Sequence, residues 1–467
     1  MRLVLKAVLS GFLLCLFTST QLGAAPIVIK NATIVPLSEK ATADFFTGYI
    51  VFDEGKILEI EEGDYDVSSA NESAEVIDAM GKIVMPGFVS GHNHLWQSAF
   101  RGLAADKELF GWLGALHYSY GSYFSDGDMY AFTLHGSLDQ LAKGITTTYD
   151  HSQRLATSET QYRESFQAGL DTAQHFIFSY NSDLKQDEDA VKRNFADFVR
   201  SAKPYIGQSP LLGLSLHSVG AYHGSEKLEL EVELAKKYKL TSQIHYLEEY
   251  QRRYIGRKKW PMFLQSGAVN SGVSFAHFIH TTDTILQDSA KAGASMIWNP
   301  LSNGRLASGL ADIPKYLEMG VKVGMGVDGA ASADIADPFE NMRMGMYALR
   351  MRQHNANVML PLEILKLHTI KTAQVLQVDK EVGSLEVGKY ADLLIVNPAQ
   401  PATGAVFDPL ATLVFSCSSA NVEAIYVAGE LAVAQGKVLG ADMGALQQQV
   451  EMRVENILAQ ADKKTVH

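Results

Sequence analysis

The chain holds only two cysteines in 467 residues, Cys15 and Cys417. Cys15 falls in an N-terminal segment that reads as a removable leader. Arg2 and Lys6 precede an apolar run from Ala7 to Phe17, and small and polar residues follow, ending Gly23-Ala24-Ala25. Cleavage there leaves Cys417 as the sole thiol and excludes an internal disulfide. Cys15 also lacks the small residues that precede a lipidated cysteine, and the run is too short to span a bilayer comfortably. The expectation is an exported protein, periplasmic or secreted, without a stable membrane anchor. Without disulfides, its rigidity must come from a core or a bound metal. Excess positive charge is missing too: 40 Lys and Arg face 52 Asp and Glu, for a net charge of -12. That balance argues against nucleic acid and anionic membrane surfaces as partners and leaves small molecules. Solenoid repeats and low-complexity tracts are absent from the sequence.

What is present is the composition of a globular enzyme-sized chain, 47% hydrophobic and 20% charged. Short alternating segments run from Ile27 to about Met80 and return in Gly383 to Val396 and Val422 to Val438. Alternation with turn residues such as Asp53-Glu54-Gly55 predicts strands, so the two chain ends are expected to build one small β-sandwich. Between them, apolar runs alternate with amphipathic stretches such as Lys227 to Lys239 and Ala311 to Met319, the pattern of βα units on a parallel sheet. Eight runs qualify: Ile83 to His92, Ile145 to Asp150, His175 to Tyr180, Leu211 to His217, Thr241 to His245, Val273 to His277, Ser295 to Trp298 and Val321 to Asp328. The fold class expected is therefore α/β, a (β/α)8 TIM barrel with an accessory β layer. The implied boundaries are 1–25 for the leader, 26–82 and 381–440 for the β-sandwich, 83–380 for the barrel and 441–467 for a terminal helix.

The chain is organised around Met85-Pro86-Gly87-Phe88-Val89-Ser90-Gly91-His92-Asn93-His94-Leu95. The i, i+2 spacing of His92 and His94 puts both imidazoles on one face of an extended strand, a geometry that suits a divalent ion. Three further strands end on ligand-type residues: His245 with Glu248 three positions on, His277, and Asp328. Each has a bland alternative, a helix-capping carboxylate or a histidine satisfying a backbone carbonyl. Four strands of one barrel ending this way make coincidence a poor account, because barrel active sites lie at the strands' C-terminal ends.

Pro86 through His94, Ile244-His245-Tyr246-Leu247-Glu248, Ala276 through His280, Trp298 through Asn303, Gly326 through Ala330 and Gly383 through Leu393 resemble the amidohydrolase superfamily. Within it they look like the branch of chlorohydrolases, cytosine and guanine deaminases, and methylthioadenosine/S-adenosylhomocysteine deaminases. The resemblance implies that His92, His94, His245 and Asp328 ligate one zinc ion, with iron as the alternative. Strand four ends on Leu216-His217 without a lysine to bridge two metals, so a mononuclear site is expected. The resemblance further implies that His217 contacts substrate. It makes Asp328 the base that takes a proton from a metal-activated water, Glu248 the acid that protonates the substrate, and His277 the group that steers the water or the tetrahedral oxygen. The implied function is metal-dependent hydrolysis of a non-peptide C–N bond, by deamination of an aromatic or cyclic amidine heterocycle. Amide or carbamate hydrolysis, dechlorination, and a non-catalytic metal-bound assembly module are the alternatives. Relatives commonly form homo-oligomers.

The pattern departs from the thioadenosine deaminases at His117-Tyr118-Ser119-Tyr120-Gly121, where a ribose-binding glutamate has no counterpart. Tyr118 and Tyr120 suggest instead an aromatic wall for a flat ring. Arg305 is a candidate for an anionic or carbonyl substrate group, and His151 a candidate pocket histidine. Arg252, Arg253, Arg257, Lys258 and Lys259 read as a solvated basic face.

Overall fold

The computed structural model describes residues 25–66, 68, 74–152 and 159–465. Except for Ala25, the expected leader lies outside the described residues. Among the described residues no helix is long and apolar enough to cross a membrane.

Both chain ends contribute to one mixed nine-stranded sheet. The N-terminal side supplies Ile27–Ile34, Phe46–Asp53, Lys56–Glu62, Glu75–Asp78 and Ile83–Pro86; the C-terminal side supplies Leu393–Val396, Val422–Val427, Glu430–Ala434 and Lys437–Val438. The two halves join where Ile83–Pro86 pairs antiparallel with Leu393–Val396, with Ile83 opposite Val396 and Pro86 opposite Leu393. Ile83–Pro86 is buried at every position, which explains why it reads as an unbroken apolar run.

The first expected barrel strand, Ile83 to His92, is therefore two strands. The chain leaves the sheet at Gly87 and enters the barrel as β1, Phe88–Asn93. A Cβ at Gly87 would lie 2.1 to 2.7 Å from side-chain atoms of Thr146, so the crossing needs glycine. The remaining barrel strands are β2 Ile145–His151, β3 His175–Asn181, β4 Leu211–His217, β5 Thr241–Tyr246, β6 Val273–His277, β7 Ser295–Trp298 and β8 Lys322–Met325. Neighbours in sequence are neighbours in the eight-stranded sheet, all parallel, which gives the (β/α)8 barrel. Intervening helices such as Ser225–Tyr238 bury one apolar side, here Leu228, Leu230 and Leu234.

β8 is shorter than the expected Val321 to Asp328. It ends at Met325, and Asp328 adopts a left-handed φ of 59°, which a short polar side chain tolerates. The barrel closes at this point. The Asp328 backbone N–H donates to His92 O at 3.1 Å, and Asn93 Nδ2 donates to Asp328 O at 2.6 Å. Gly326 permits the approach, because a Cβ there would stand 2.8 Å from the His92 backbone N and O. One core cluster spans the junction of barrel and sheet, joining Met85 and Val396 to Phe88, Phe275, Met296 and Phe339.

The terminal helix, Met443–Thr465, docks on Asp128–Ala142: Arg453 pairs with the buried Asp128 at 2.7 Å, and His135 Nε2 lies 2.9 Å from Gln447 Oε1.

Candidate active site

β1, β5, β6 and the turn after β8 bring His92, His94, His245, His277 and Asp328 to the C-terminal mouth of the barrel. His92 Nε2 stands 3.4 Å and His94 Nε2 3.6 Å from Asp328 Oδ1, and His94 Nε2 is 3.3 Å from His245 Nε2. Ligand atoms about 2.0–2.1 Å from a tetrahedral zinc ion sit about 3.3 Å from one another, so this spacing is that of a coordination shell. His92, His94 and Asp328 form one group able to hold an ion, and His92, His245 and His277 another.

Hydrogen bonds on the far side of the rings assign the tautomers. Gln243 Nε2 donates to Gly91 O and Ser274 Oγ, which turns its Oε1 toward His92 Nδ1 at 2.6 Å. His94 Nδ1 donates to His151 O at 2.7 Å. Both Nε2 atoms therefore carry lone pairs, and the buried His92 Nε2 has no hydrogen-bond partner, which fits a metal ligand. Burial holds His94 down to about 4 and His245 well below the usual imidazole range, so both are in the neutral form that ligation requires. Burial opposes charge on Asp328 as well, yet the imidazoles of His92, His277 and His94 gathered around it keep it well below the usual carboxylate range. Three imidazoles and one carboxylate are a donor set suited to zinc.

His277 is oriented the opposite way. The side-chain nitrogens of Asn303 and Asn299 face its Nδ1 at 2.9 and 3.3 Å, so the ring proton is on Nε2. That Nε2–H points between Glu248 Oε2 at 3.6 Å and Asp328 Oδ2 at 3.7 Å. Burial, then the charges of Asp328 and Glu249, push Glu248 well above the usual carboxylate range, which favours its protonated form.

These groups open into a cavity of about 620 Å³ whose wall includes His94, His217, Glu248, His277 and Asp328. His217 stands on this wall, with its Nδ1 3.3 Å from Ser152 O and 3.2 Å from Asn181 Nδ2. Tyr118 is at the rim and 81% exposed, while Tyr120 does not line the cavity. His151 packs beneath, its ring centroid 3.5 Å from that of His217. Arg305 requires a correction. Its Nε pairs with Asp334 at 2.8 Å and its terminal nitrogens donate to Leu103 O and Lys107 O, so it braces two loops and does not reach the cavity.

Sequence reasoning gave no role to Gln243, Asn299 and Asn303, whose side chains face the imidazoles of His92 and His277. Gln243 had a signal: it lies two residues before His245 on the same strand face. His117 was noted only for lacking a carboxylate, yet it lines the cavity beside Trp112 and has a buried, unpaired Nε2.

A barrel of this topology with a His-x-His strand, two further strand-end histidines and an aspartate after β8 defines a metal-dependent hydrolase. Residues 83–432 match the amidohydrolase family, and the chain belongs to it. The chain is 27% identical to a 5-methylthioadenosine/S-adenosylhomocysteine deaminase of Desulforudis audaxviator, over 92% of this chain and 99% of that one. The Bacillus cereus enzyme of the same name is 30% identical, over 87% and 94%. Among solved structures, a zinc-bound adenosine deaminase from Xanthomonas campestris superposes with a TM-score of 0.81 at 19% identity, covering 93% of this chain and 99% of that one. An atrazine chlorohydrolase variant from Arthrobacter aurescens, with zinc and atraton, gives 0.80 at 22%, covering 92% and 100%. Family membership together with the deaminase relatives makes this chain a hydrolase of carbon–nitrogen bonds other than peptide bonds.

Proposed function

We propose that the chain is a mononuclear zinc deaminase that hydrolyses an exocyclic C–N bond of a cyclic or aromatic amidine, such as a purine, pterin, pyrimidine or triazine. The observation that carries this reading is Glu248: a buried carboxyl, pushed by burial toward its protonated form, 3.6 Å from His277 in the cavity that also holds Asp328. Attack on a ring amidine places negative charge on the ring nitrogen, and a positioned acid removes it.

His92, His94, His245 and Asp328 Oδ1 would hold the ion, which supplies Lewis acidity and makes water at the site more acidic. Asp328 Oδ2, on the side of the carboxylate nearer His277, takes the proton as the water oxygen adds to the amino-bearing carbon. Glu248 delivers its proton to the adjacent ring nitrogen. His277 Nε2–H donates to the oxygen on that carbon and stabilises the charge there. Asp328 then returns its proton to the amino nitrogen, which leaves as ammonia, and Glu248 recovers a proton as the ring nitrogen gives one up. His217, which lines the same cavity, contacts the bound ring.

The test is ammonia release from a panel of heterocyclic amines by zinc-loaded protein. Glu248→Gln should retain zinc and lose at least about 100-fold in kcat. Retained turnover would remove Glu248 from proton transfer. The leader supports a second inference, that the protein is exported. N-terminal sequencing of the exported fraction should find a start near Pro26, and an intact Met1 would contradict it.

A further inference from the structure

A second cavity of about 250 Å³ adjoins the catalytic one, and Leu109, Phe110, Tyr222, His245 and Glu248 line both. Its remaining polar wall comes from the segment after β5, which presents Arg252, Arg253 and Lys259. The basic cluster is thus partly a pocket wall, and not simply the solvated face its sequence suggests.

Each of these cations is held by an aromatic ring or a backbone oxygen. The Arg252 guanidinium lies 3.9 Å over the Phe110 ring. The Arg253 guanidinium lies 3.6 Å over Tyr250 and donates to Tyr250 O. Lys259 Nζ donates to Ala221 O at 3.1 Å and sits 5.2 Å over Tyr222. Rings and carbonyls fix a cation without neutralising it. Among the described residues none of the three forms an ion pair, although the chain has 52 acidic residues to offer. The pocket's one carboxylate besides Glu248 is Glu249, and its oxygens already accept from the backbone N–H groups of Gln251 and Arg252. Three oriented cations without a salt-bridge partner thus stand against the single carboxylate of Glu249 on a concave wall, in a protein of net charge -12. The long-range field of such a chain repels anions, so a wall of this sign beside the reaction centre has a local purpose.

We propose that this side pocket is a subsite for an anionic group, carboxylate or phosphate, carried by the substrate whose heterocycle occupies the catalytic cavity. The assignment rests on the deaminase reading and narrows its substrate class. Phe110 and Tyr222, shared by the two cavities, form the passage along which ring and charged substituent connect. Arg252 and Arg253 present planar donors to the anion's oxygens, and Lys259 adds a point charge.

The experiment compares neutral and anionic partners on the zinc-loaded full chain, with ammonia as the readout. Pterin against pterin-6-carboxylate forms the carboxylate arm; adenosine against adenosine 5′-monophosphate forms the phosphate arm. In at least one arm the anionic member should have a kcat/KM about ten-fold or more above its neutral partner, as expected for charge-assisted hydrogen bonds. The arm that shows the advantage identifies the anion. Arg252→Gln, and more fully Arg252→Gln with Lys259→Gln, should reduce that ratio to within about two-fold. Equal kcat/KM for neutral and anionic partners, or an anionic advantage that the double variant leaves intact, would overturn the subsite alone. Ammonia from neither arm, with a neutral pyrimidine or triazine amine deaminated, would overturn the subsite alone; ammonia from none of the heterocyclic amines would overturn the heterocycle reading and the subsite with it.

Discussion

Gln243 Oε1 lies 2.6 Å from His92 Nδ1, a contact made across the barrel from β5 to β1. The amide is itself locked by Gly91 and Ser274, so it holds the proton of His92 on Nδ1 and aims Nε2 at Asp328. A ligand imidazole fixed this way is both more basic and better oriented.

Gln243→Leu should therefore weaken zinc binding about 10- to 100-fold while the barrel still folds. Gln243→Glu keeps an acceptor for Nδ1 and should restore part of the loss. Competition with a chelator of known affinity measures both; unchanged affinity in Gln243→Leu would leave the contact without a role at the metal.

Much of this arrangement was legible because strand ends announce themselves. His92 and His94 alternate along one strand direction, and His245 and His277 each follow an apolar run, so the sequence alone places four imidazoles at one mouth. The Pro86-Gly87 break was legible in the apolar run, but not that the chain changes sheets there, because Ile83 to Met85 and Phe88-Val89 are apolar alike and the pairing partners that separate them are distant in sequence. Arg305 was misread since its partner Asp334 is 29 residues away and becomes adjacent only through the fold. The basic segment gave no hint that Phe110, from the distant short helix Leu109–Leu113, would underlie Arg252. What periodicity encodes was readable, and what depends on contact between distant loops was not.

Glu231, on helix Ser225–Tyr238, gives the fold a pH signature. It accepts from Ser218 Oγ at 2.5 Å, Gly220 N at 2.7 Å and Val219 N at 3.0 Å, tying down the loop that follows His217. Burial pushes its carboxyl up to about 7 despite these donors, from an ordinary value of 4.5. As pH rises from 4.5 the unfolded chain gives up this proton before the folded one does, so stability is lost between pH 4.5 and about 7 and is level above. The loss amounts to about 3 kcal/mol. Urea unfolding at pH 5 and pH 8 should show the decline, and Glu231→Gln should flatten it; a variant with the wild-type slope would refute the assignment.

His175 and Asp392 couple the barrel to the accessory sheet. His175 Nε2 lies 3.3 Å from Asp392 Oδ1, both side chains are buried, and Asp392 also accepts from Ala428 N at 2.8 Å. His175→Phe would leave the buried Asp392 carboxyl with Ala428 N as its polar neighbour on that side, at a cost of about 1–3 kcal/mol in unfolding free energy. Asp392→Asn combined with His175→Phe should recover part of that loss, since no buried charge remains. A single variant as stable as the wild type would show that the pair contributes nothing.

The central claim is that one ion is shared by residues of β1, β5 and the turn after β8. A crystal structure of zinc-loaded protein tests it most directly. The account predicts one zinc about 2.0–2.2 Å from His92 Nε2, His94 Nε2, His245 Nε2 and an Asp328 carboxylate oxygen. Zinc bound elsewhere, or zinc at the mouth that leaves any of these four uncoordinated, would contradict it.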